Sequence, residues 1–275
     1  MAKVNGVRRL PKKDYEARIP ALRAALVQMQ VALQHAPFPI LLVVAGDEAS
    51  GKGDVVNLLN AWLDPRGVET FAFHEPTDEE RERPPMWRYW RCLPPRGRMA
   101  IYAGAWHAEA LRADPRSPRE LEDFAETLRR LAHFEGLLSA NGTLIVKVWL
   151  QLSKSAQRAR LLELESNPDT AWRVTAADWQ HNRAYEHRAR LSEQMRRATH
   201  KPGAPWHVID ATDARARNLA VADHVLARFR KHLAAQKKLP QAVKPRRVVS
   251  LRPAGLRRLQ ALPLDQTVSE FYYEA

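Results

Sequence analysis

One run of residues constrains this chain more than any other. Phe38–Ala45 (FPILLVVA) leads into Gly46-Asp47-Glu48-Ala49-Ser50-Gly51-Lys52-Gly53, and an amphipathic stretch follows to about Leu63. A short, continuous, β-branched apolar run bounded by turn residues reads as a strand covered on both faces, as in a parallel sheet. The glycine-rich segment fits G-x-x-x-x-G-K and lies between that strand and a helix. In this setting successive backbone N–H groups turn inward and form a concave anion site at the positive end of a helix dipole. Lys52 adds a mobile cation. Gly46, Ala49, Ser50, Gly51, Lys52 and Gly53 are therefore the candidate phosphate-binding residues.

Two features of the loop are unusual. Gly53 stands where P-loop enzymes usually place the Ser or Thr whose hydroxyl holds Mg²⁺. Glu48 puts an acid inside the loop, where it repels phosphate unless a divalent cation lies between them. Glu48 is thus the candidate Mg²⁺ ligand.

The remaining pattern alternates helices with strands. Residues 12–35 carry Leu22, Leu26, Met29 and Leu33 at helical spacing. Strands are expected at Val68–Phe73, Ala100–Tyr102, Thr143–Leu150 and Trp206–Asp210. Helices are expected at Leu121–Leu138, after the cap residue Ser153, at Ala176–Ala198 as one long charged element, and at 213–235. This order predicts an α/β fold, a mostly parallel sheet with helices on both faces.

Composition bounds the alternatives. At 45% hydrophobic and 27% charged residues, the chain can bury a core, which excludes wholesale disorder. The single cysteine, Cys92, excludes an intramolecular disulfide framework, and cytoplasmic residence is the natural expectation. More often than not such a lone thiol is a small packing residue. The longest apolar run, Pro39–Ala45, is too short to span a bilayer, so no membrane partner is expected. Residues 1–20 mix Lys, Arg, Asp and Glu without an apolar core, so an export signal is not expected there. The formal charge is +13, yet Arg228–Arg258 holds eleven Lys/Arg and no acid, so all other residues sum to +2. That segment lacks interleaved aromatics, so nucleic acid is not the expected partner. His181 and His187 lie six apart, which is wrong for an i, i+4 metal pair. With His107 and His133 they read as surface or packing residues.

Further motifs carry a resemblance. Asp64–Gly67 (DPRG), Pro76–Glu80 (PTDEE), Trp87–Pro94 (WRYWRCLP) and Val146–Leu150 (VKVWL) follow the loop in order. Then come Ser153, Gln157 and Arg160, followed by Pro168, Trp172, Arg173, Thr175, Asp178 and Trp179, and finally Thr199 with Ala204-Pro205-Trp206. Over about residues 14–232 the chain resembles the polyphosphate kinase 2 family, and within it the polyphosphate:AMP phosphotransferases that carry two such domains in tandem. The resemblance implies a P-loop kinase-like fold with a small helical lid, about residues 104–120. It implies a domain over 1–235 and a basic linker over 236–275 leading to a second copy. The implied activity is phosphoryl transfer between inorganic polyphosphate and a nucleotide (AMP, ADP or ATP), with Mg²⁺, in a homo-oligomer or paired with a second family domain. Lys52, Glu48, Arg88 and Arg91 are the implied catalytic residues. Trp87 and Trp90, at i, i+3, are expected to pack.

The chain departs from the family at its second acidic motif. Where the family has F-D-R-S-W-Y, this sequence has Tyr102-Ala103-Gly104-Ala105-Trp106-His107. Ala103 replaces the aspartate and Gly104 the arginine. Arg112, Arg116 and Arg119 are the lid residues able to replace some of that charge. The expectation is a phosphotransferase-type domain with impaired catalysis. The alternative is a catalytically silent polyphosphate- or nucleotide-binding, scaffolding domain that pairs with an active copy.

Overall fold

The structure is a computed structural model that describes residues 3–4 and 7–238. Two short strands, β1 (Lys3–Val4) and β2 (Val7–Arg8), pair antiparallel. The chain divides into a compact unit, Met1–Leu233, and a second unit from Ala234. From residue 239 the expected linker lies outside the described residues.

Five parallel strands form the sheet: β3 (Ile40–Gly46), β4 (Val68–Ala72), β5 (Met99–Ala103), β6 (Leu144–Gln151) and β7 (Trp206–Asp210). Their spatial order is β4-β5-β3-β6-β7, which puts the apolar run of the sequence analysis at the centre. Between strands come α1 (Lys12–Gln34), α2 (Lys52–Trp62), α3 (Asp78–Glu82), α4 (Trp87–Trp90), α5 (Trp106–Arg112) and α6 (Pro118–Ala140). They are followed by α7 (Lys154–Ser166), α8 (Ala176–Arg183), α9 (Tyr185–Thr199) and α10 (Ala214–Lys238).

The period-2 alternation of β3 splits the interior into two layers. Ile40, Leu42 and Val44 face one core, built with Leu26 and Met29 of α1, Val55 and Leu59 of α2, and Val225 and Phe229 of α10. Leu41, Val43 and Ala45 face the other, built with Tyr89, Trp106, Phe134, Leu138 and Met195. Both faces of the strand are therefore dry, which is why its sequence does not alternate with polar residues. Helix starts follow their caps. Ser153 Oγ accepts from the Ala156 amide at 3.2 Å, and Ser117 with Glu120 forms a capping box ahead of α6.

Two expectations are corrected. The segment 176–198 is not one helix. It breaks at Ala184, because α8 packs on α7 while α9 packs on α5 and α6. No Gly or Pro marks that break; only the tertiary contacts do. The tryptophans of α4 pack only in part, Trp90 edge-on against Phe134 with centroids 5.1 Å apart and Trp87 beneath Arg83 and Arg91. Trp90 is 46% exposed and Trp87 is half-buried, while Tyr89 between them is buried. The helix turns Tyr89 into the core, where its hydroxyl donates to Glu109 at 2.6 Å.

A buried ionic cluster anchors α5. Lys147, in the middle of β6, donates to Glu135 of α6 at 2.6 Å and to the Thr199 carbonyl at 2.7 Å. Glu135 also meets His107 of α5 at 2.8 Å, and all three side chains are fully buried. Burial opposes the Glu135 carboxylate, but His107 and Lys147 outweigh it and hold it below its ordinary range. Burial pulls His107 below its ordinary value, against the opposing pull of Glu135. His107 was expected to pack and does, but inside an ion network that strand periodicity does not reveal.

On the other side of the sheet His224 of α10 stacks on His207 of β7, centroids 3.9 Å apart. Burial, with His207 and Arg228 nearby, pushes His224 down to about 4. A depressed imidazole stays neutral in the fold while the unfolded chain takes up the proton near its ordinary value. The stability it contributes is present above about pH 6.5 and is lost as pH falls towards 4. Melting temperature should therefore drop on acidification through this window. A His224→Asn variant should remove about 1 kcal/mol of that drop at pH 5, and an unchanged slope would contradict the assignment.

Candidate functional site

The loop between β3 and α2 is held from behind by three elements. The Asp47 amide donates to the Leu150 carbonyl at 2.9 Å, and the Leu152 amide donates to the Asp47 carboxylate at 2.7 Å, both on the β6 side. Gln157 of α7 donates to the Glu48 carbonyl at 3.2 Å. Arg217 of α10, 3% exposed, donates to the Ser50 carbonyl at 2.8 Å. Two glycines make this seating possible. A Cβ on Gly46 would fall 2.4 Å from the Leu150 carbonyl oxygen. A Cβ on Gly51, whose φ is +83°, would fall 1.9 Å from the Arg217 guanidinium. Among the described residues the amides of Glu48, Ala49, Gly51, Lys52 and Gly53 have no acceptor within the chain, as an anion-binding loop requires.

The Lys52 ammonium is not mobile. It donates to the Gly46 carbonyl at 3.0 Å, the Asp47 carbonyl at 3.1 Å and the Glu48 carboxylate at 3.1 Å, which uses its three N–H donors. The ammonium holds Glu48 below its ordinary carboxylate range. Burial pushes the Asp47 carboxyl above its own.

A cleft of about 620 Å³ opens beside the loop. Gly46, Asp47, Glu48 and Lys52 line one side. Gly104, Arg112, Asp114 and Arg116 line a second, and His181, Tyr185 and Arg188 a third. Ala103 ends β5 in register with Val44 of β3, so the position of the missing acid lies next to the loop strand. His181 Nδ1 lies 3.7 Å from the Glu48 carboxylate. Burial pulls His181 below its ordinary value. His187 Nε2 lies 3.0 Å from Asp114. On the outer side of α2, Asp54 meets Arg173 at 2.9 Å, Arg160 at 3.8 Å and Arg217 at 3.9 Å.

The structure thus brings Gly46, Glu48, Lys52, Gly104, Arg112 and Arg116 to one cleft. Ala49, Ser50, Gly51 and Gly53 belong to the loop but not to the cleft wall, and Ser50 is buried. Arg119 is exposed and outside the cleft. Arg88 and Arg91 are also outside it. The Arg88 guanidinium donates to the His74 carbonyl at 3.0 Å and meets Glu80 at 3.4 Å, and Arg91 stacks over Trp87. Cys92 is half-buried, and burial pushes its thiol up, so it is no activated nucleophile. His181, His187, Arg188 and Arg217 escaped sequence reasoning. They lie well over 100 residues from the loop, and only the fold unites them.

The residues present do not form a resident Mg²⁺ site. Among the described residues no three His, Cys, Asp or Glu groups converge on a point. Glu48 is neutralised by Lys52, and Ala103 offers no second carboxylate. Magnesium takes one or two carboxylates and completes its shell with water and substrate phosphates.

A parallel sheet in this order, with a glycine-rich loop after its central strand, is a P-loop kinase-like fold. A family model described as Polyphosphate kinase 2 (PPK2) matches residues 9–237, and the chain belongs to that family. It is 36% identical over 269 residues to a polyphosphate:AMP phosphotransferase of Pseudomonas aeruginosa, covering 96% of this chain and 53% of that protein. A solved polyphosphate kinase 2 structure from Pseudomonas aeruginosa PA01 superposes with a TM-score of 0.71 at 32% identity, over 87% of this chain and 50% of that one. Polyphosphate kinase 2 from Arthrobacter aurescens TC1 gives 0.75 at 25% identity, over 94% and 90%. The chain spans about half the length of the curated relatives it matches. Among the described residues no helix is long and apolar enough to cross a membrane.

The seating of the loop is directly testable. Gly51→Ala forces a left-handed φ on a residue with a Cβ and displaces Arg217. It should cost ~2 kcal/mol or more, a fall of roughly 4–8 °C in melting temperature. An unchanged melting temperature would mean that Arg217 does not sit under the loop.

Proposed function

We propose that this chain is a phosphotransferase-type domain that binds inorganic polyphosphate and a nucleotide, AMP or ADP, in the cleft beside the loop, with impaired turnover. The observation that carries the reading is the loop itself, with five amides lacking an acceptor in the chain, held open by Asp47, Gln157 and Arg217. Phosphoryl transfer asks a protein mainly for positioning and charge neutralisation. The loop amides and the cleft cation Arg188 supply both, while Arg112 and Arg116 line the same cleft already paired with Glu75 and Asp114.

Impairment follows from two positions. Ala103 gives no carboxylate at the end of β5, and Gly104 gives no arginine. Both changes also favour a second reading, a silent polyphosphate-binding domain that pairs with an active copy of the fold. On either reading, residues 1–235 form the phosphate-binding domain, 104–120 its lid and 236–275 a linker. The domain works in the cytoplasm, in a homo-oligomer or beside a second family domain.

The test is polyphosphate-dependent phosphorylation of AMP, and separately of ADP, with Mg²⁺. Wild type should turn over slowly, and Lys52→Ala should fall to background. The double variant Ala103→Asp with Gly104→Arg should raise the rate by an order of magnitude or more. A Cβ at Gly104 meets only the Ala108 Cβ, at 3.7 Å, while its φ of +66° strains any substitution there. Wild-type turnover as fast as an intact family member would refute impairment. Absence of both turnover and polyphosphate binding would refute the reading as a whole.

A further inference from the structure

We propose that Arg188, on α9, is the cation that grips phosphoryl oxygens in this cleft, in place of Lys52. The inference rests on the phosphate-binding reading above. It comes from accounting for every charge in the cleft. The lining holds three carboxylates, Asp47, Glu48 and Asp114, and four full cations, Lys52, Arg112, Arg116 and Arg188.

Each carboxylate has a near partner. Asp47 accepts from the Leu152 amide. Glu48 takes the Lys52 ammonium. Asp114 takes Arg116 at 2.6 Å and His187 at 3.0 Å. Three of the cations are likewise engaged, since Arg112 reaches out to Glu75 at 3.1 Å. Arg188 is the remaining one. It is half-buried, and among the described residues its guanidinium has no hydrogen bond or ion pair.

Arg188 feels the carboxylates of Glu48 and Asp114 only from beyond ion-pair distance, and a half-buried guanidinium with no direct hydrogen-bond partner is costly to desolvate unless an anion completes it. Its planar fork of N–H donors matches two phosphoryl oxygens at once, which a single ammonium does not. Arg188 shares the cleft wall with His181, whose ring approaches Glu48, so it stands across from the loop rather than on it. The anion it would take is a phosphoryl group, either one of the polyphosphate chain or the 5′-phosphate of the nucleotide.

The experiment is calorimetric titration of the full chain with polyphosphate of defined length and, in a separate arm, with AMP. Four proteins are compared: wild type, Arg188→Ala, Arg188→Lys and Arg190→Ala. Arg190 is exposed on the same helix and controls for net charge. Arg188→Ala should weaken binding at least tenfold in one arm, and that arm identifies the phosphate source. Arg188→Lys should recover part of the loss, and Arg190→Ala should bind as wild type. Because Arg188 makes no direct hydrogen bond or ion pair in the chain and attracts Glu48 and Asp114 only at longer range, Arg188→Ala should lower the melting temperature only slightly. Equal affinity of wild type and Arg188→Ala in both arms would overturn the assignment while leaving the phosphate-binding reading intact. Binding by wild type in neither arm would overturn that reading and the assignment with it.

Discussion

The site depends on how the loop after β3 is supported from behind. An anion-binding turn needs amides that nothing else consumes, yet a free loop of this length would collapse onto its own acceptors. Here the Ser50 carbonyl is held by the buried Arg217, the Glu48 carbonyl by Gln157, and the Asp47 side chain by the Leu152 amide. Those partners come from α10, α7 and the end of β6. The loop conformation is therefore set by the whole parallel sheet and not by its glycines alone, which only make the close approaches sterically possible.

The same support has an electrical consequence. Lys52 is drawn into two loop carbonyls and Glu48, so the charge that the motif advertises is largely spent within the chain. Residues 103 and 104, at the neighbouring strand end, carry neither a carboxylate nor a guanidinium. What persists is a fold whose core does not need the chemistry. Both apolar layers, the Tyr89–Trp106–Phe134 packing and the buried Lys147–Glu135–His107 cluster remain complete.

Much of the architecture was legible because its signals are local. The apolar run before Gly46 could only be a two-sided strand, Ser153 announced α7, and the order of strands and helices implied the parallel sheet. What escaped were features set by contacts distant in sequence. Ala184 breaks a helix with no breaker residue present. Trp90 is left exposed because the short α4 turns Tyr89 inward instead. Lys147 reads as an interruption of an apolar strand until Glu135 and Thr199 are brought to it. His181 and Arg188 carry no motif of their own and become part of the site only because α8 and α9 fold back over the loop. The arginines of the WRYWR segment show the converse: a recognisable pattern whose side chains are engaged elsewhere, with His74, Glu80 and Trp87.

The central claim is that the backbone amides of residues 48–53 receive phosphoryl oxygens. Amide chemical shifts of the ¹⁵N-labelled chain, followed by NMR during titration with polyphosphate, test it most directly. The account predicts large, saturable shifts at Glu48, Ala49, Gly51, Lys52 and Gly53 that level off together. Saturation of binding with these amides unmoved, and the shifts confined to another surface, would contradict it.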